Sequence, residues 1–152
     1  SLLNAIYSQY ASQHEAIRWG DKTPIYTGYM DLIVKIFPDA QFLHIIRDGR
    51  DVALSLMKTY QSRFYVDVFY GAATWKHYVR SALDSATHLR ADQYCVVNYE
   101  QLTAHPEREL IRICKFLQEE YVPNMCRPHI LARQIVSATN IHAATRQPIT
   151  TN

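Results

Sequence analysis

Apolar and polar positions follow two rhythms along this chain. Leu3, Ile6, Tyr7 and Tyr10 recur at helical spacing and predict a helix over residues 2–16. Residues 18–22 read as a short strand ending before Thr23-Pro24, because the residue preceding a proline is driven to extended geometry. Met30, Ile33, Val34 and Phe37 predict another helix, closed by Pro38-Asp39. Residues 41–47 then form a near-continuous apolar run around a strand at 42–46, the pattern of a parallel-sheet strand covered on both faces. Val52, Leu56 and Tyr60 mark the inner side of a helix over 50–60. Trp75, Tyr78, Val79, Ala82 and Ala86 mark a longer one over 72–90. Residues 94–99 give a third buried strand. Pro106 opens a final helix with Glu107 and Glu109 in its first turn and Leu110, Ile113, Cys114 and Leu117 as its core face. Beyond Glu120 three prolines and weak periodicity predict irregular structure, with a helix near 130–136.

Strands alternating with helices place the chain in the α/β class, a parallel sheet flanked by helices. Ligands of such sheets sit outside the carboxyl ends of the strands. Three polar clusters fall at those ends: Asp21-Lys22-Thr23, Arg47-Asp48-Gly49-Arg50 and Tyr99-Glu100-Gln101. Their convergence points to a site.

Composition narrows this picture only slightly. The 152 residues suffice for one domain with a real core. A net charge of +2 gives no general polyanion-binding surface, so nucleic acid is not an expected partner. Eleven of the 16 basic residues are Arg, the residue suited to bidentate contacts with phosphate or carboxylate. Cys95, Cys114 and Cys126 are odd in number and lack metal-ligand spacing, as expected of reduced, mostly buried thiols. No apolar run is long enough for a membrane segment, and no signal peptide opens the chain.

The strand–turn–helix at 42–60 carries the candidate chemistry. One reading aims the helix amides at an anion, with Arg47 as a fixed cation and Ser55 as a neutral donor to the same phosphate. The other is a well-capped junction: Asp48 caps the helix, and Asp51, Ser55, Lys58 and Ser62 form its solvated stripe. Lys22 is either an ammonium held over a transferring group or a surface lysine. Tyr99 is either a platform for a base or a core-edge tyrosine among 11 in the chain. Trp75 lines a pocket or packs in its helix's core stripe, and the aromatics Phe64, Tyr65, Phe69 and Tyr70 pose the same choice. His44, within a buried strand, reads as a core residue. None of the other histidines, 14, 77, 88, 105, 129 and 142, stands out as a general base. His44 to Asp48 does not continue as a kinase catalytic loop. The four glycines form no phosphate cradle of the G-x-x-x-x-G-K-[ST] kind, which argues against a nucleotide hydrolase complete within this chain.

Three segments, taken in order, resemble the sulfotransferase superfamily, most closely its tyrosylprotein sulfotransferase-like and bacterial branch. FPDAQFLHIIRDGRDVALSL (37–56) is similar to the family's 3′-phosphate motif, which would assign Arg47 and Ser55 to that phosphate. WGDKTP (19–24) is similar to the strand whose lysine stabilises the transferring group, here Lys22. VVNYEQLTAHPERELIRICKFL (96–117) is similar to the segment whose tyrosine lies near adenosine, here Tyr99. The resemblance covers about 15–120. It implies a single partial domain over 1–152, with 121–152 its irregular C-terminal part. The implied architecture is the P-loop nucleotide-hydrolase-like sulfotransferase fold, incomplete at its N-terminus. The implied reaction moves a sulfuryl group from 3′-phosphoadenylyl sulfate to a hydroxyl or amine, without a metal.

The family's 5′-phosphosulfate loop and its catalytic base are expected upstream of Ser1, and the Arg some members carry after the serine corresponds to Thr59. The segment that covers the cofactor is at best begun by 137–152. A chain with these features is expected to bind adenosine 3′,5′-bisphosphate but to turn over little. The alternative is a non-catalytic nucleotide-binding or interaction domain on the same scaffold; a nucleoside- or shikimate-kinase-like reading suffers from the same missing loop and has no match to Asp48-Gly49-Arg50. The acceptor, whether small molecule, carbohydrate or protein tyrosine, and the oligomeric state are not legible. Reduced cysteines suggest the cytoplasm, and an upstream anchor would suggest the Golgi lumen.

Overall fold

A computed structural model describes residues 2–60 and 67–128. The expected helix at 130–136, Ser62, Phe64, Tyr65, His129, His142 and the segment 137–152 lie outside the described residues. The elements run α1 (Leu2–Gln13), a 3-10 turn (Pro24–Gly28), α2 (Met30–Ile36), β1 (Phe42–Ile46), α3 (Gly49–Thr59) and α4 (Val68–Ala86). They continue with β2 (Tyr94–Asn98), α5 (Tyr99–Ala104), α6 (Pro106–Leu117) and a second 3-10 turn (Pro123–Cys126). The order supports the α/β class expected from the sequence.

β1 and β2 pair in parallel, in the register Phe42↔Tyr94 to Ile46↔Asn98, and form a two-stranded sheet among the described residues. Parallel neighbours need a long crossover, here α3 and α4. Cys95, Val97 and Ile113 form the buried cluster that binds β2 to α6, with Leu102, Phe116 and Leu117 packed around it. Val97 is fully buried, a burial that contributes about 1.5–3 kcal/mol. The expectation that β1 is covered on both faces is corrected: Leu43 and Ile45 are exposed, and only their neighbours in the strand are partly buried. The packed helices cover Cys95 and Val97 of β2, not the outer part of the same sheet face.

Residues 18–22 are not a strand. A strand needs backbone partners, and this segment is held by side chains instead. The Arg18 guanidinium donates to the Leu117 carbonyl at 2.6 Å and to Glu119 at 2.9 Å, and also bonds the Gln41 side chain. Trp19 stacks on Tyr7 with ring centroids 4.1 Å apart and meets Phe37 edge-on. Gln41 passes the connection inward by donating to the carbonyls of Asp92 and Phe116. α1 also stops earlier than expected, because Glu15 turns left-handed (φ 55°) and the Ala16 N–H bonds back to the Ala11 carbonyl.

α4 starts at Val68, four residues before the expected boundary, because Asp67 caps it by accepting from the Tyr70 N–H at 2.7 Å. It ends earlier as well, at Ala86, where Thr87 to Leu89 turn back on carbonyls of residues 84–86. α4 packs against α3, α2 and the first 3-10 turn. Its closest approach to α3 is at glycine. A Cβ on Gly71 would lie 2.7 Å from the Ala53 Cα, and one on Gly49 would lie 2.8 Å from the Trp75 ring. Gly71 and Trp75 are one turn apart on α4, as Gly49 and Ala53 are on α3.

Candidate functional site

β1 delivers Arg47 to its carboxyl end, and β2 delivers Tyr99 to the adjacent end. The register Ile46↔Asn98 fixes this neighbourhood. The guanidinium carbon of Arg47 lies over the Tyr99 ring, 4.8 Å from its centroid, an attractive cation–π geometry. Tyr99 does not end the strand, as the sequence suggested. It begins α5, because the Asn98 side chain accepts from the Gln101 N–H at 2.8 Å and caps a short helix there.

Arg47 also pairs with Asp51, Nη2 to Oδ2 3.1 Å, while its side chain stays a third exposed (33%). Asp51 and Ser55 are four residues apart on α3 and share one helix face. The Arg47 side chain therefore reaches the stripe that carries Ser55, and Ser55 is exposed on it. Among the described residues, the buried Nε of Arg47 has no hydrogen-bond partner. A buried donor left unpaired costs about 1–3 kcal/mol, so this atom is one of the few polar groups of the turn without compensation.

At the start of the helix the bonds found are those of the capped-junction reading, and they occupy the amides of Asp48 and Arg50. Asp48 accepts from the Arg50 N–H at 2.8 Å, and Glu100 accepts from the Asp48 N–H at 2.8 Å. Hydrogen bonds from the Arg50 side chain and then its backbone N–H pull the Asp48 carboxyl down to about 2. The carboxylates of Asp48 and Glu100 thus take up two donors at the positive end of α3, and the guanidiniums of the turn are those of Arg47 and the exposed Arg50.

A shallow cleft of about 520 Å³ opens here, lined by Ile46, Arg47, Gly49, Trp75, Asn98 and Glu100 among others. Trp75 serves both roles the sequence left open. Its ring packs on Gly49 inside the α3–α4 contact, and its edge lines the cleft. Its Nε1–H donates to the Arg47 carbonyl at 2.9 Å. Glu100 was visible in sequence only as a member of a polar cluster, and its bond to the Asp48 amide had no local signal.

Lys22 is exposed in the coil before the first 3-10 turn, and among the described residues no hydrogen bond or ion pair joins it to Arg47, Ser55 or Tyr99. That turn leans on α4, as α3 does, so one helix supports both neighbourhoods. His44 is half-buried on β1 rather than in the core: its Nδ1 and the Tyr94 hydroxyl share a 2.5 Å hydrogen bond, and partial burial pushes its pKa below 6.5. The three cysteines are free thiols, with Cys95 and Cys114 buried.

A sequence model described as the sulfotransferase family matches residues 1–123. A protein-tyrosine sulfotransferase of Drosophila melanogaster is 30% identical over 105 residues, covering 67% of this chain and 21% of its own. Protein-tyrosine sulfotransferase A of Caenorhabditis elegans is 27% identical over 118 residues, covering 76% of this chain and 31% of its own. Among solved structures, the sulfotransferase domain of the Synechococcus PCC 7002 olefin synthase superposes with a TM-score of 0.68 at 23% identity, over 86% of this chain and 47% of that one. The sulfotransferase domain from the curacin biosynthetic pathway gives 0.60 at 18% identity, over 85% and 47%. The chain spans less than half the length of each of these relatives.

Proposed function

The chain belongs to the sulfotransferase family, and from that premise we propose that it supplies the donor-binding part of a sulfuryl transfer from 3′-phosphoadenylyl sulfate to a hydroxyl or amine. The observation that carries this reading is Arg47: a guanidinium one third exposed at the end of β1, held over Tyr99, with a buried Nε that lacks an acceptor among the described residues. An anion with several oxygens fits that donor set, and a planar base or ribose fits beside the tyrosine ring.

In this mechanism the donor supplies the sulfuryl group and a leaving group that is already anionic. Arg47 and Ser55 bind the 3′-phosphate, which takes no part in the chemistry and serves as an anchor. Tyr99 lies along the adenosine and keeps the guanidinium in place. Lys22 stabilises the charge that develops on the leaving oxygen; removal of one such donor costs about 100-fold or more in rate. The relatives named protein-tyrosine sulfotransferases make a protein tyrosine the first acceptor to try.

Isothermal titration of the chain with adenosine 3′,5′-bisphosphate tests the reading. Binding by the wild type that falls about tenfold or more in Arg47→Ala supports it, by the worth of a charge-assisted contact. Equal binding by both defeats it.

A further inference from the structure

Arg47 and Asp48 share one peptide unit, and side chains from two other elements hold both of its ends. At one end the indole N–H of Trp75, on α4, donates to the Arg47 carbonyl at 2.9 Å. At the other, Glu100 on α5 accepts from the Asp48 N–H at 2.8 Å. A peptide unit is planar, so bonds at both ends fix its rotation, and with it ψ of Arg47 and φ of Asp48. Neither bond belongs to the strand ladder or to a helix.

Each bond also carries a cost that stability alone does not explain. Glu100 brings a second carboxylate to a turn that already holds Asp48, next to the cation of the site. Trp75 occupies the space over residue 49 so closely that only glycine fits there. What the two bonds secure together is the direction in which the Arg47 side chain leaves the backbone.

We infer that Trp75 and Glu100 are positioning residues for Arg47, holding the 47–48 peptide so that the guanidinium stands over Tyr99 and toward the face carrying Asp51 and Ser55. The inference rests on the reading of Arg47 as the ligand of the donor's 3′-phosphate. It makes the affinity for that phosphate depend on two residues that act through the 47–48 peptide. A backbone free to rotate would spread the guanidinium over many directions, and the ordering would have to come from binding itself.

The test compares adenosine 3′,5′-bisphosphate with adenosine 5′-monophosphate on the 152-residue chain. The ratio of the two affinities isolates the 3′-phosphate. Trp75→Phe keeps the ring and loses the N–H; Glu100→Ala removes the acceptor. Each should lower the ratio by about 3- to 10-fold, the worth of one hydrogen bond, with monophosphate binding within about 2-fold of wild type. Glu100→Gln keeps an acceptor oxygen and should retain the wild-type ratio. In an Arg47→Ala background Trp75→Phe should lower the ratio no further, because the two changes act through one contact.

Equal weakening of both nucleotides by Trp75→Phe and Glu100→Ala would mean a merely structural role and would overturn the inference, as would an unchanged ratio in both. Circular dichroism reports whether Trp75→Phe folds. If it does not, Glu100→Ala decides alone, since it leaves the α3–α4 contact intact. A ratio insensitive to Arg47→Ala, or a wild type that binds neither nucleotide, would instead bring down the phosphate reading beneath the inference.

Discussion

The guanidinium of Arg47 rests on the face of Tyr99, 4.8 Å from the ring centroid, and so joins the ends of β1 and β2 through side chains as well as through the ladder. The contact gives a direct expectation. Tyr99→Phe keeps the π-face and should bind adenosine 3′,5′-bisphosphate within about 2-fold of wild type. Tyr99→Leu removes the face and should weaken binding by about 2- to 5-fold. Calorimetric titration measures both, and a Leu variant that binds like wild type would show the platform to be idle.

Asp51 competes for the same cation. Its carboxylate meets Arg47 at 3.1 Å while half exposed, so the pair contributes at most about 1 kcal/mol to stability. Asp51→Asn should leave the urea midpoint nearly unchanged and tighten bisphosphate binding by about 2- to 5-fold at low ionic strength. The gain should fade as salt is raised. Weaker binding at every salt concentration would mean that Asp51 orients Arg47 more than it opposes the ligand.

His44 makes stability depend on pH. Burial holds its folded pKa below 6.5, so in the window beneath that value the unfolded chain binds more protons than the folded one. Stability therefore rises with pH through the window and falls on acidification. Urea midpoints measured from about pH 7.5 to about pH 5.5 should decline, and His44→Gln should flatten that part of the curve. A midpoint that holds or climbs as pH drops would contradict the assignment of His44 as a half-buried imidazole kept neutral by its surroundings.

Gln118 closes α6 in the left-handed region, with φ 60° and ψ 38°. A side chain pays for that conformation, and glycine does not. Gln118→Gly should raise stability by about 0.5–1 kcal/mol, after the extra freedom of glycine in the unfolded chain is set against the relief. Thermal or urea denaturation reads the change, and a loss would mean that the Gln118 side chain contributes contacts of its own.

The elements that the sequence announced clearly were those whose signals are local. The Asp48 cap, the apolar run of β1 and the Pro106 start of α6 all needed only neighbours in sequence, and all stand. The segment at 18–22 failed because strand status depends on a partner, and its extended residues are tied instead by Arg18 and Trp19 to α6, Gln41 and α1. α5 was missed although its signal was present: Asn98 three residues before Gln101 is a cap, hidden by the apolar strand that runs into it. At the site, Arg47 and Tyr99 were both read, and their contact follows from strand register. The roles of Trp75 and Glu100 were out of reach, because each acts across a gap of 28 or 52 residues on a single peptide group.

The seam between α3 and α4 is a lock with one setting. Gly71 admits Ala53, and one turn along Gly49 admits Trp75. Sliding α4 by a turn would either drive the indole into Ala53 or carry it away from the Arg47 carbonyl. The four positions therefore have to change together: a related chain with a side chain at the place of Gly49 should carry something smaller than tryptophan at the place of Trp75. What the turn after β1 tolerates is thus decided partly on another helix, and its evolution is constrained in pairs.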